Sequence, residues 1–143
     1  GCRRMKMWAP ALVLVAGLVV AVASVGFGQE AQEVSFSNDI VPMFVASCTS
    51  CHTGETARQG SARLNLEPGF AYGDLVNVLA SRVSTMGRVM PNDPDASYLV
   101  HKLQGTQEQV GGRGTQMPRN QEPWTKEQID LVRAWIAQGA PNN

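Results

Sequence analysis

Three residues within five positions carry the most chemistry in this chain of 143: Cys48 and Cys51, three apart, with His52 immediately after. Cys-x-x-Cys-His is the spacing of covalent haem attachment. On one turn of helix both thiols can add to vinyl groups of the same porphyrin, and the adjacent histidine is then held below the ring with an imidazole nitrogen toward the iron. Two rival chemistries use the same residue types. A redox dithiol belongs in a βαβ setting, and no strand pattern is visible. A structural zinc site needs four ligands, yet beyond the motif only His101 and Cys2 remain. One covalent haem c with its iron is therefore the expected cofactor. The remaining iron position decides between electron transfer and ligand binding, and Met117, Met90 and His101 are the side chains that could fill it.

The elements that must position this motif are legible around it. Asn38 can cap a helix that has Asp39 and Pro42 in its first turn, where a proline lacking its N–H costs little. Ile40, Phe44 and Cys48 then fall at i, i+4 and i+8, one apolar face leading into the motif. Residues Thr53 to Gly69 read as a loop rich in Gly, Ser, Thr and charge. A short helix fits Phe70 to Leu79, and another is signalled by Asp93 as cap, Pro94 at the first position and Leu99 with Leu103. Gln104 to Pro123 lacks periodicity, the mark of a functional or disordered segment, and its apolar landmark after Val110 is Met117, followed by Pro118. The last helix has the clearest signals: Thr125 and Gln128 form a capping box, Trp124 is placed to staple onto Ile129, and Ile129, Val132 and Ile136 form a stripe edged by Leu131 and Trp135. The expected fold is all-α, a small helical domain with large loops.

Trp8 to Phe27 is an uncharged run of 20 residues after Arg3, Arg4 and Lys6, about 30 Å long as a helix and enough to cross a bilayer core. The expected organisation is a membrane anchor or signal segment at 1–28, a polar linker at 29–35 and the haem domain at 36–143. A single-pass anchor is favoured over a cleaved secretory signal, with the amino terminus cytoplasmic and the domain periplasmic. Beyond position 28 the 12 acidic residues outnumber the 9 remaining basic ones, so no basic footprint for nucleic acid is present. Only Lys102 and Lys126 occur in the domain, too few for a lysine ring that steers partners. Its seven arginines read as scattered surface charge. A tether to the lipid bilayer would instead raise the effective concentration near a membrane partner.

Phe36 to Cys48 with the haem motif, the stretch Asn92-Asp93-Pro94-Asp95-Ala96-Ser97-Tyr98-Leu99, the late Met117-Pro118 and the closing Trp124 to Pro141 together resemble a class I c-type cytochrome of the exported bacterial branch. The resemblance covers residues 36 to 141. It implies three to four helices around one haem, the first and last crossing, with Cys48 and Cys51 as thioether residues, His52 as proximal ligand and Met117 as distal ligand. Met90-Pro91 mimics the same dipeptide but precedes the Asn92 stretch, where the resembling proteins have no ligand. The implied function is relay of single electrons on the periplasmic side, without catalysis of its own, for a membrane redox complex such as a quinol-oxidising complex, an oxidase, a reaction centre or a dehydrogenase. The alternatives are a haem enzyme or gas sensor with an open or displaceable distal position and, less well supported, a zinc-stabilised interaction domain.

Overall fold

The computed structural model describes residues 32–59 and 63–143. The chain enters through a π-helical turn, Phe36–Ile40, that runs on into α1, Val41–Ser47. The cap is Ser35 rather than Asn38: its Oγ accepts from the Asn38 N–H at 3.2 Å, and Asp39 Oδ2 accepts from the Ser35 N–H at 2.8 Å. Two N–H groups that a helix start leaves orphaned are thereby satisfied reciprocally. Ile40 and Phe44 are fully buried and Cys48 nearly so, so the i, i+4, i+8 face is the one the core covers.

The last helix, α5, follows the sequence closely. It spans Lys126–Ala137, the Thr125–Gln128 capping box is closed from both sides, and Ile129, Val132, Trp135 and Ile136 are buried. Trp135 is the largest fully buried side chain. It stacks on Phe36 at a centroid distance of 4.8 Å and donates its indole N–H to the Pro141 carbonyl at 2.9 Å. Phe36 also meets Phe44 and Tyr72 edge to face. The entry turn and α5 thus share one aromatic cluster, and Trp135 serves packing.

The segment expected as a linker is tied down at its carboxyl end. Gln138 Oε1 accepts from the Val34 N–H, Asn143 Oδ1 accepts from the Phe36 N–H, and Val34 is buried. Three further boundaries move. A short helix, α2, occupies Gly54–Gln59 within the expected loop. The next, α3, stops at Ala71–Leu75, since Val76 is extended and Asn77 takes φ 59°. The following one, α4, is Tyr98–Gln104 and starts four residues after Pro94. Ser97, fully buried, accounts for that late start: its Oγ donates to the Asp93 carbonyl and accepts from the Met90 N–H, both at 2.8 Å, so 90–97 closes as a turn. Gly105 ends α4 in the left-handed region at φ 76°, where glycine pays no Cβ penalty.

The all-α expectation is overturned by a two-stranded antiparallel ribbon, β1 Leu79–Ala80 and β2 Val83–Gly87, paired Leu79 to Gly87 and Ala80 to Val83 across a bulge. Ala80 and Val83 bury against Tyr98 in a small second core beside the main one. No helix among the described residues is long and apolar enough to cross a membrane. Trp8 to Phe27, on which the anchor rested, lies outside the described residues.

Candidate functional site

The helical path of α1 runs past its last residue into the motif. The Cys48 N–H donates to the Phe44 carbonyl at 2.7 Å, and both Cys51 and His52 donate to the Cys48 carbonyl, at 3.1 and 2.9 Å. One turn thus carries all three functional side chains. Cys48 lies at the inner end of the buried face, Cys51 is exposed and His52 is half-buried; both cysteines are thiols. Burial pushes the Cys48 thiol up, the nearby Ser47 hydroxyl partly opposing it and Cys51 adding to it. The Ser47 hydroxyl also accepts from the Trp124 indole at 2.9 Å, locking the start of α5 to the motif.

Beside the motif runs the segment 63–66, which has no regular secondary structure. The Leu66 N–H donates to the His52 carbonyl at 2.9 Å, and His52 Nδ1 lies 3.3 Å from the Leu64 carbonyl oxygen. A carbonyl only accepts, so Nδ1 carries the proton and Nε2 keeps its lone pair. That arrangement fixes the tautomer of a metal-binding histidine. Burial holds the imidazole below the usual histidine range, with the Leu64 carbonyl opposing and Arg88 assisting.

Cys48, Cys51 and His52 line a cleft of about 670 Å³, within the roughly 300–1,000 Å³ of cofactor pockets. Met117 lines the same cleft. Phe44, Leu64, Leu66, Leu75, Leu99 and Leu103 supply much of its apolar lining. Met117 is held in a long segment without regular structure by hydrogen bonds to α4: its own N–H donates to the Lys102 carbonyl at 2.9 Å, and Gln116 Nε2 donates to the Leu103 carbonyl at 2.7 Å. Lys102 Nζ reaches the Thr115 carbonyl from the same helix. The two rival side chains lie elsewhere. Met90, 36 % exposed, packs against Gly87 and lines no part of the cleft. His101 has both ring nitrogens engaged, Nδ1 with the Thr106 hydroxyl at 2.8 Å and Nε2 with the Asp95 carbonyl at 2.9 Å.

Sequence reasoning missed the charge of this site. Arg82, Arg88, Arg113, Arg119 and Lys102, from three stretches of chain, all line the cleft, and among the described residues no carboxylate does. The arginines had no sequence signal because the ribbon, α4 and the Met117 segment bring them together. Tyr98, 7 % exposed, also lines the cleft, and its buried hydroxyl has no hydrogen-bond partner among the described residues. The residues present fit a haem: two thiols on one turn, an imidazole with Nε2 available, a soft thioether lining the same cleft, and cations with an unsatisfied hydroxyl for carboxylate tails. A structural zinc site fits less well, since among the described residues no three His, Cys, Asp or Glu side chains are gathered for a metal. Compared with known proteins, the chain matches no family model, no curated protein and no solved structure.

Proposed function

We propose that residues 36–143 form a c-type cytochrome domain that binds one haem covalently through Cys48 and Cys51, ligates its iron with His52 and Met117, and passes single electrons between redox partners. One observation carries the reading: Cys48, Cys51, His52 and Met117 line one cleft of about 670 Å³, although His52 and Met117 are 65 positions apart in sequence. The haem, when bound, supplies a one-electron iron couple. The protein does the rest. His52 presents Nε2 while the Leu64 carbonyl keeps its other nitrogen protonated. Thioether sulfur favours reduced iron, the leucine walls exclude water, and Arg82, Arg88 and Tyr98, which line the cleft, would bind carboxylate tails of the ring. The reading includes export of the domain to the periplasmic side of a bacterial membrane, where a membrane redox complex would be donor or acceptor.

The competing reading, a haem enzyme or gas sensor, differs in whether Met117 holds its position. Optical spectra of oxidised and reduced protein test both. A weak far-red sulfur-to-iron charge-transfer band that is lost in Met117→Ala, with no carbon monoxide binding by the reduced wild type, supports the electron carrier. Ready carbon monoxide binding and no such band would give the site to the sensor reading. Protein from which acid extraction removes all haem would overturn covalent attachment itself.

A further inference from the structure

The peptide group between Leu64 and Asn65 is bonded at both ends. Its carbonyl oxygen faces His52 Nδ1 at 3.3 Å, and its N–H donates to Asp74 Oδ2 at 2.7 Å. From this geometry we infer that Asp74 is a positioning residue for His52, its carboxylate acting through one peptide bond on the imidazole that ligates the iron. The inference rests on the haem reading above and deepens it.

A carboxylate accepting from an amide N–H polarises that amide and draws more negative charge onto its carbonyl oxygen, the cooperative strengthening expected of hydrogen bonds in series. The strengthened carbonyl in turn pulls on the Nδ1 proton. The imidazole then becomes a better donor at Nε2, as it does where a carboxylate sits directly behind a metal-bound histidine. Better donation stabilises the oxidised iron and lowers the potential. The relay is supported on both sides. Asn65 is 7 % exposed, and its Oδ1 accepts from the Glu67 N–H at 3.0 Å. Glu67 Oε2 accepts from the Gly54 N–H at 3.0 Å, two residues beyond His52. The segment is thereby held against the motif. Arg88 works in the opposite sense. Its guanidinium donates to the Asp74 and Arg63 backbone carbonyls at 2.7 and 3.0 Å, and its positive charge disfavours cationic character on His52. His52 therefore sits between a carboxylate acting through the peptide and a cation acting through space.

The test is the reduction potential of the haem-loaded protein by optical titration. Asp74→Asn keeps an acceptor oxygen and removes the charge. The expected result is about a threefold rise in the ferrous-to-ferric ratio at a fixed applied potential, or ~28 mV at 59 mV per decade for one electron. Asp74→Glu should lie close to wild type. An Asp74→Asn potential equal to wild type, in protein with the same melting temperature and the same far-red band, would overturn the inference and leave the haem reading intact. Absence of covalent haem in the wild type would sink the haem reading, which the spectrum reveals before any potential is read. A second measurement needs no variant: in reduced wild-type protein, the Asn65 amide proton and the His52 Nδ1 proton should both resonate downfield of ordinary amide and imidazole values. An Asn65 amide proton at an ordinary position counts against the relay even where Asp74→Asn does not fold.

Discussion

Gly112 shows how a residue with no chemistry of its own can govern the site. A Cβ there would lie 2.3 Å from the Tyr98 hydroxyl and 2.7 Å from the Gln107 carbonyl, and Gly112 itself donates its N–H to that carbonyl at 2.8 Å. The chain crosses closely here before turning toward Met117. We expect Gly112→Ala to cost ~1–3 kcal/mol, the usual range for overpacking, read from urea unfolding. Its reduced form should also bind carbon monoxide more readily than wild type, because the displaced segment carries Met117. Carbon monoxide binding unchanged from wild type would mean that the segment is positioned by its bonds to α4 alone. His101 makes the opposite point. In sequence it was a candidate ligand, but two short contacts with Thr106 and Asp95 occupy its ring nitrogens.

Among the elements, α5 and α1 are organised by signals a few residues apart, and their starts should respond to local substitutions. Thr125 accepts from the Gln128 N–H at 3.3 Å while Gln128 returns a bond to the Thr125 N–H at 2.9 Å. Thr125→Ala is expected to destabilise the domain by ~1 kcal/mol, the ordinary cost of a lost N-cap, without altering the optical spectrum. A spectral change would couple the start of α5 to the proposed haem site through Trp124, which stacks on Phe44 at 6.1 Å and bonds Ser47. The β1–β2 ribbon obeys no such local code. Val83 to Gly87 has no alternating pattern: Val83 and Gly87 are buried, Ser84 and Thr85 exposed. Its pairing is set by Asn77 turning the chain at φ 59° and by Ala80 and Val83 packing on Tyr98, a residue 15 positions beyond Val83 in sequence.

Across the whole molecule, net charge and local charge have opposite signs. Residues 29–143 hold 9 basic and 12 acidic side chains, yet five cations and no described carboxylate line the cleft. Clefts focus the field of their own lining charges. Two carboxylate tails on a bound haem would leave the mouth positive. Oxidation of the reduced protein by ferricyanide, an anion, should therefore slow as ionic strength rises from about 0.01 to about 0.15 M, over which the screening length falls from ~30 to ~8 Å. The net charge alone predicts acceleration, so the sign of the salt effect separates the two. A rate that rises with salt would show that electrons leave by a face other than the cleft mouth.

Taken by itself, the sequence determined what short-range physics controls: the spacing of Cys48, Cys51 and His52 on one turn, the buried face Ile40, Phe44 and Cys48, and the Thr125–Gln128 box. In each the interacting groups lie within about one to two helical turns, so spacing specifies geometry. Tertiary structure alone decided the rest. It brought Met117 into the cleft that His52 lines, gathered the arginines that sequence had scattered, turned Val83 to Gly87 into a strand, and set Asp74 behind the Leu64–Asn65 peptide. These contacts join residues far apart in the chain, and they form only when hydrophobic burial of Trp135, Phe44 and their neighbours repays the entropy of closing the intervening loops.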